Sequence, residues 1–350
     1  MIISRTPFRV SLFGGGTDFP AWYQEHGGLV ISAAINKYCY VNARYLPPFF
    51  DYKYRIRYTQ QEYRAGIDEI VHPSVRECIR FSGITDGLEI QHNSDVPAMS
   101  GLGSSSAFTV GLLHALHGLA GRMAGKRQLA TEAIDVEQNW IKECVGSQDQ
   151  MAVAYGGVNV IAFGPGDGLD VTPLTLAPMA LATLESHMLL CFTGFQRNGT
   201  TVAADQLKQM PKHGAELHDI QAIATHAVDV LHDHPLDVPE LGRLLDAQWH
   251  LKRRMSALIA TSSIMEIYDA GMRAGAYGAK LLGAGGGGFM LFLAPPERHA
   301  AIRRALARLI FVPFGFDMSG SRIIYYIPSE PYAVPTDLTT PVPDAAARAA

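Results

Sequence analysis

Ten of the chain's 34 glycines fall in three short segments, each adjoining an apolar run. They are Gly14-Gly15-Gly16 near the start, Gly101-Leu102-Gly103 in the middle, and five glycines between Gly283 and Gly288 near the end. Glycine adopts φ > 0 freely and lets a backbone N–H come close to a ligand or to another backbone, at a cost in chain entropy. A fold for this chain must therefore place three such turns where close approach is needed.

The pattern between the glycines alternates strands and helices. Phe8, Val10, Leu12 and Phe13 read as a strand entering the first turn, and residues 29–46 as one or two strands stopped by Pro47-Pro48. Strand-like alternation returns at Leu88–Gln91. Phe108, Leu112, Leu113, Leu116 and Leu119 have helical spacing, predicting a helix over 107–120; a second is expected over 126–143 and a short strand over 158–163. Residues 164–182 are rich in Gly and Pro, and the domain boundary is expected there, giving domains 1–175 and 176–327. The second half reads as a strand at 187–194, helical patterns at 200–231, 237–260 and 264–274, a strand–glycine–strand unit at 279–294, a helix at 297–309 and a strand at 322–327. Residues 328–350 contain five prolines and read as a loose tail.

Composition excludes several classes. With 350 residues, 48% hydrophobic and 18% charged, the chain has material for two cores and is not disordered. The net charge of −4 and the lack of a basic run argue against nucleic acid as a partner. No apolar stretch is long enough to span a membrane, and the N-terminus lacks the pattern of a secretory signal. Cys39, Cys78, Cys144 and Cys191 are far apart, so neither a disulfide framework nor a Cys-rich zinc site is expected and a cytoplasmic location is. The thirteen histidines show no metal-ligand spacing with carboxylates or cysteines and read as ordinary helix and loop residues.

The middle glycines head a helix through Ser104-Ser105-Ser106. Unpaired N–H groups and the positive end of a helix dipole suit phosphate oxygens, and serine hydroxyls can add hydrogen bonds or ligate Mg²⁺. Two commoner nucleotide motifs fail. Gly121 to Lys126 has the wrong spacing for a GxxxxGK[ST] loop, and Gly283-x-Gly285-x-x-Gly288 leads into the strand-like FMLFLA where a dinucleotide fingerprint needs a helix. The last glycine cluster fits a bulged hairpin, a backbone–ligand approach or a backbone–backbone approach. Arg5 and Arg9, four apart on a strand, share a face, and neither can sit in an apolar core without a partner.

These segments, in this order, resemble the three motifs of the GHMP kinase superfamily: PFRVSLFGGGTD at 7–18, PAMSGLGSSSA at 97–107 and KLLGAGGGG at 280–288. The resemblance covers residues 1 to about 327. Within the superfamily the first segment, followed by INKY, GSQDQ and TGFQR, is similar to the D-glycero-D-manno-heptose 7-phosphate kinases, with fucose kinase domains as relatives. The resemblance implies a two-domain α+β or α/β fold: a ribosomal S5 domain 2-like N-terminal domain and a ferredoxin-like C-terminal domain, with ATP and substrate between them. It implies phosphoryl transfer from Mg·ATP to the anomeric hydroxyl of a sugar phosphate, serving GDP-heptose and surface-glycan synthesis. It leaves room for a homodimer. A fucose kinase, a non-catalytic sugar and nucleotide sensor, and a decarboxylase of the same superfamily are the competing readings.

Roles follow from the resemblance, residue by residue. Asp149, in GSQDQ, matches the family's catalytic base, and Arg9 its basic partner. Pro97, Gly101, Leu102, Gly103, Ser104, Ser105, Ser106 and Ala107 match the ATP loop, with Ser105 and Glu137 as the Mg²⁺ ligands. Arg5, Gly15, Gly16, Thr17, Asp18, Gly285, Gly286 and Gly287 are expected around the sugar. Gly14-Gly15-Gly16-Thr17-Asp18 stands where galactokinases carry GEHTD, which argues against galactose. A second phosphate on the sugar calls for a cationic clamp, and Lys37, Arg44 and Arg197 are the candidates.

Overall fold

The computed structural model describes residues 1–166, 168–195 and 199–332. The first half runs β1 (Ile2–Phe13), α1 (Pro20–His26), β2 (Gly28–Tyr45), β3 (Tyr54–Arg57), β4 (Gln61–Arg64), α2 (Pro73–Ser82), β5 (Leu88–Ser94), α3 (Ser104–Leu119), α4 (Lys126–Asp135), α5 (Gln148–Tyr155), β6 (Val158–Phe163) and β7 (Leu169–Pro173). The second half runs α6 (Pro178–Ser186), β8 (Met188–Phe192), α7 (Gly199–Gln209), α8 (Gly214–Leu231), α9 (Val238–Lys252), α10 (Ser262–Arg273), β9 (Gly278–Leu281), β10 (Phe289–Leu293), α11 (His299–Ala305), β11 (Ile310–Phe311) and β12 (Arg322–Tyr326). Each half supplies most of one sheet, with β12 crossing back to the first, and the fold is a two-domain mixed α/β arrangement.

The first sheet has the path β12-β1-β2-β5-β3-β4, with β6 also on β2 and β7 on β6. Strand β2 makes this possible by its length. Its eighteen residues, with no Gly or Pro after Gly28, form one strand, paired along its inner edge with β1. Its outer edge pairs first with β6 (Gly28↔Phe163 to Ala33↔Val158) and then with β5 (Cys39↔Ser94 to Tyr45↔Leu88). The change of partner coincides with a kink, where β1 passes from Pro7↔Tyr38 to Phe8↔Ile35 and Asn36 and Lys37 are left over. Strand β1 lies between β12 and β2, and every residue from Thr6 to Phe13 is buried. The second sheet, β11-β8-β10-β9, is antiparallel throughout.

Two cores result. Phe8, Val10, Val41, Val110 and Leu113 belong to the first, and Trp249, Met290, Phe292 and Ile264 to the second. Helices α8 and α9 feed both: Ala224, Ala227, Leu241 and Leu245 join the first core, while Leu217, Ile220 and Trp249 join the second. The domains are thus held together by shared apolar surface, the non-directional and dominant favourable term in association. Among the described residues no helix is long and apolar enough to cross a membrane. The four cysteines are free.

Several expectations are corrected. The helical pattern at 200–231 is two helices, α7 and α8, because Pro211 has no N–H to continue the ladder and sits in a tight turn over Met210–Lys212. Helix α9 ends at Lys252, short of residue 260. The helix expected at 126–143 stops at Asp135 and gives way to a wider turn, closed by a hydrogen bond from Ile141 N to Val136 O at 2.8 Å. Strand β7 lies within the Gly- and Pro-rich stretch read as a linker. The last strand, counted with the C-terminal domain, is instead an edge strand of the first sheet: Ile2 pairs with Tyr326 and Arg5 with Arg322. Residues 328–332 continue from it, and the rest of the expected tail lies outside the described residues.

A buried polar chain fixes that returning segment. Thr6 Oγ1 on β1 and His114 Nδ1 on α3 both lie 2.9 Å from Ser321 Oγ, and Ser4 Oγ donates to Gly111 O at 2.7 Å. Burial pushes His114 down to about 4, so the native ring is neutral at pH 7. The unfolded histidine takes a proton near 6.5, so stability falls as pH drops from about 6.5 toward 4. The loss from this residue is at most about 3–4 kcal/mol, reduced where water screens the ring. Urea melts of wild type and His114→Gln between pH 7 and pH 4.5 should show the variant with the shallower decline; equal slopes would clear His114 of that role.

Candidate active site

Arg9 is the hub. Its Nε donates to Asp149 Oδ1 at 2.8 Å and one guanidinium nitrogen to Asp149 Oδ2 at 2.6 Å, a two-pronged pair. The other guanidinium nitrogen donates to Gly101 O at 2.7 Å, and the Arg9 backbone N–H to Leu102 O at 3.0 Å. One side chain therefore ties β1 to the first turn of α5, where Asp149 sits, and to the loop that heads α3. Arg9's side chain is 4% exposed and that of Asp149 25%, so the guanidinium is enclosed while the carboxylate still faces a cleft.

That cleft, about 890 Å³, lies between the halves. Arg9, Asp18, the 101–106 loop and Asp149 line one wall; Gly199, Gln206, Lys252, Lys280, Gly283 and Ala284 line the other. Gly103 takes φ 73° just before α3, so the helix starts at Ser104, three residues earlier than the spacing predicts. Ser104 and Ser105 open onto the cleft, Ser105 exposed, with Pro97 beside them. The side chains of Leu102 and Ala107 are in the core. The first N–H groups of a helix have no intrahelical partner, so this is an anion-binding end.

The third glycine cluster meets the second. A Cβ on Gly283 would lie 2.5 Å from Gly101 Cα, one on Gly101 2.5 Å from Leu282 O, and one on Gly288 2.3 Å from Ser100 O. Of the readings left open by sequence, the approach is backbone to backbone. Gly285, Gly286 and Gly287 do not line the cleft; they pack on Ile259 and Phe195, with Gly286 N donating to Ile259 O at 2.9 Å.

Glu137 is carried by the wide turn after α4 and is completely buried. Its Oε2 accepts from Ser106 Oγ at 2.9 Å and from Gln150 Nε2, while Oε1 has no partner. Burial, the largest influence, pushes this carboxyl up to about 7. Ser106, and not Ser105, is thus its direct neighbour. An orphaned carboxylate oxygen beside a helix N-terminus is what a divalent cation would satisfy. Among the described residues no group of three or more His, Cys, Asp or Glu side chains could hold a metal, so the chain offers only part of such a coordination shell.

The first glycine turn presents Asp18. Its Oδ1 accepts from Gly16 N at 2.9 Å, its backbone carbonyl from Ser147 N at 2.9 Å, and Gly146 packs where a Cβ would fall 1.9 Å from Oδ2. Burial raises its pKa. Gly16 lines the cleft with Asp18; Gly15 lies behind them against Ser11, and Thr17 Oγ1 closes the turn on Gly14 O at 2.8 Å.

The expected cations do not gather here. Arg5 stacks on the Tyr38 ring at 4.4 Å, Arg44 pairs with Glu89, Lys37 occupies the β2 kink, and none lines the cleft. Four residues along a strand is roughly 13 Å, so sharing a face with Arg9 does not bring Arg5 within reach. Arg197 lies outside the described residues. Two lysines that sequence reasoning missed take their place, Lys252 at the end of α9 and Lys280 on β9. The available signal was Gln248 and Lys252 within the apolar stripe of α9, beside Leu241, Leu245 and Trp249. A second unexpected group is aromatic: His72 and His92 approach the Phe108 ring at 5.0 and 4.9 Å, Tyr58 meets His72 at 4.8 Å, and all four line the cleft. Burial pushes His92 down to about 4 and lowers His72, leaving this wall uncharged at pH 7.

Family comparison agrees with this layout. The model for the GHMP kinases N terminal domain matches residues 69–157, and that for the GHMP kinases C terminal matches residues 229–310. The chain is a GHMP kinase. It is 26% identical over 325 residues to D-glycero-alpha-D-manno-heptose 7-phosphate kinase of Campylobacter jejuni subsp. jejuni serotype O:2, covering 88% of this chain and 93% of that one. It is 24% identical over 321 residues to the bifunctional fucokinase/GDP-fucose pyrophosphorylase of Arabidopsis thaliana, covering 84% of this chain but 30% of that one. Among solved structures, a D-glycero-D-manno-heptose 1-phosphate kinase from Bacteroides thetaiotaomicron superposes with TM-score 0.77 at 26% identity, over 94% of this chain and 100% of that one.

The GHMP kinase's glycine contact makes a direct prediction. Gly283 has φ 76° and no room for a Cβ, so Gly283→Ala should cost at least about 2 kcal/mol, from left-handed strain and displacement of the 101–103 loop. Denaturant unfolding measures it; a cost under about 0.5 kcal/mol would mean that the two loops are not in contact.

Proposed function

We propose that this ATP-dependent carbohydrate kinase transfers the γ-phosphoryl group of ATP to the anomeric C1 hydroxyl of D-glycero-D-manno-heptose 7-phosphate, giving the 1,7-bisphosphate. The observation that carries the reading is the Arg9–Asp149 pair, held at the mouth of a phosphate-type helix terminus in a cleft walled by both domains. The heptose substrate is taken from the relatives' names, one of which specifies the 7-phosphate and another the 1-phosphate.

Asp149 accepts the proton of the attacking hydroxyl as the oxygen–phosphorus bond forms and the bond to the leaving ADP oxygen breaks. Positioned general bases of this kind contribute about 10²–10⁴-fold. Arg9 fixes the carboxylate's two oxygens and leaves its open side to the acceptor. The N–H groups of Ser104–Ser106 receive the donor's phosphates, and positioning plus charge neutralisation supplies most of the remaining acceleration. Glu137, with the hydroxyls of Ser105 and Ser106, would hold Mg²⁺, which neutralises phosphate charge when bound. Asp18 takes a sugar hydroxyl. The uncharged wall of Tyr58, His72, His92 and Phe108 suits a planar base.

A fucose kinase remains a second reading, favoured by the fucokinase relatives and by the absence of Arg5, Lys37 and Arg44 from the cleft. ADP release with Mg·ATP and each of heptose 7-phosphate, fucose, galactose and no acceptor separates the readings, and ³¹P NMR of the product gives the position phosphorylated. The heptose phosphate should be preferred and phosphorylated at C1; preference for fucose would replace the substrate assigned here. Asp149→Asn should lower kcat by about 10²–10⁴-fold and also lower the melting temperature, because it removes the countercharge of the enclosed Arg9; near-normal turnover in the folded variant would remove Asp149 from the chemistry.

A further inference from the structure

The inner end of the cleft holds more positive charge than the roles above use. Lys252 is 7% exposed and its Nζ donates to Gly283 O at 2.6 Å; Lys280 is 1% exposed and its Nζ donates to Leu12 O at 3.0 Å. Both line the cleft together with Arg9, Asp18 and Asp149. An ammonium carries three donors, and among the described residues Lys252 directs one of them to protein. The same cleft is lined by Asp18, Asp95, Glu143 and Asp149, of which Asp18 and Asp149 act on Lys252. A buried ammonium is costly unless its charge and donors are satisfied, and two donors of Lys252 not directed to protein in an enclosed cleft suit an anion from outside.

Placement narrows which anion. Lys252's hydrogen-bond partner, Gly283, rests against Gly101, whose carbonyl also accepts from Arg9. The ammonium therefore stands next to the loop that heads α3, on the opposite wall from it. Burial pushes the Lys252 ammonium down to about 8, and Asp18 is the charge that most opposes this, with Asp149 a further contributor. It lies beside both the proposed acceptor residue and the proposed base.

We propose that Lys252 is a phosphate-contacting residue of the transfer site, its ammonium brought across the cleft by α9 to bind a phosphate oxygen between Asp18 and the Arg9–Asp149 pair. This rests on reading the cleft as a phosphoryl-transfer site. The oxygen belongs either to the phosphoryl group in transit or to a phosphate already on the acceptor. In both cases the contact also draws the C-terminal half onto the substrate, because Lys252 and the 101–103 loop meet only when the two walls face each other.

Two variants separate charge from structure. Lys252→Gln can still donate to Gly283 O but carries no charge; Lys252→Arg keeps the charge. Steady-state rates are measured with ATP and either heptose 7-phosphate or the unphosphorylated heptose, alongside thermal melting. A charged hydrogen bond to phosphate is worth roughly 10–100-fold, so Lys252→Gln should lose about that in kcat/KM while Lys252→Arg stays within about fivefold of wild type. A fall in kcat with both acceptors assigns the oxygen to the phosphoryl in transit. A rise in KM confined to the phosphorylated acceptor assigns it to the acceptor's phosphate. Wild-type kcat and KM in Lys252→Gln overturn the proposal, as does an equal loss in both variants accompanied by equal lowering of the melting temperature. Should wild type turn over neither sugar, the functional reading falls by itself, and titration with inorganic phosphate then decides on Lys252. About tenfold weaker binding by Lys252→Gln supports the proposal, and equal binding overturns it.

Discussion

One guanidinium organises the site. Arg9 is enclosed, and an enclosed charge is tolerable only with its donors satisfied. Its partners come from two places in the chain, Asp149 at the start of α5 and the carbonyl of Gly101 ahead of α3, and the Arg9 backbone N–H adds a bond to Leu102 O. Asp149 and the loop ahead of α3 cannot move independently, because each is a partner of the same planar group. Removing either would strand charge in a closed space, a larger penalty than the pair's own net contribution to stability.

Around that hub the two halves are joined twice, by different physics. Helices α8 and α9 supply apolar side chains to both cores, which fixes the domains' approach but not their register. Register comes from contacts that tolerate no extra atom: Gly101 on Gly283, Gly288 on Ser100, and the polar clasp of Gln248 and Lys280 on the end of β1, where Gly14 N donates to Gln248 Oε1 at 2.6 Å. The glycines lie where two main chains meet, and the cleft walls are set by that meeting.

The parts of this arrangement that sequence revealed are those with local signatures. Gly103 before a serine run and a clean helical stripe announces a helix terminus, and Asp149 sits in a short polar motif between helices. Glu137 was found through the family pattern, yet the wide turn that carries it depends on a hydrogen bond from Ile141 to Val136 that no spacing rule reports. Lys252 reads locally as a basic residue in a helix's last turn, favourable to the dipole and unremarked. Only tertiary packing shows that its stripe is buried on both sides of Gln248. The misplaced cations share one cause. Arg5, Lys37 and Arg44 were chosen by residue type near a motif, and tertiary placement then kept them off the cleft wall: Arg5 lies four residues, roughly 13 Å, along the strand from Arg9, Lys37 sits in the β2 kink and Arg44 is paired with Glu89.

The return of β12 to the side of β1 has a consequence in time. Strand β1 acquires its outer neighbour only from residues 322–326, after both cores' helices have been synthesised. An emerging chain therefore presents β1 with one open edge until those residues arrive, a template for mispairing that domains usually close early. The polar pin of Thr6, His114 and Ser321 is the latch that ends this interval. Completion of the first domain thus waits on residues 322–326, beyond both cores' helices, and the enzyme's two halves mature together instead of in sequence.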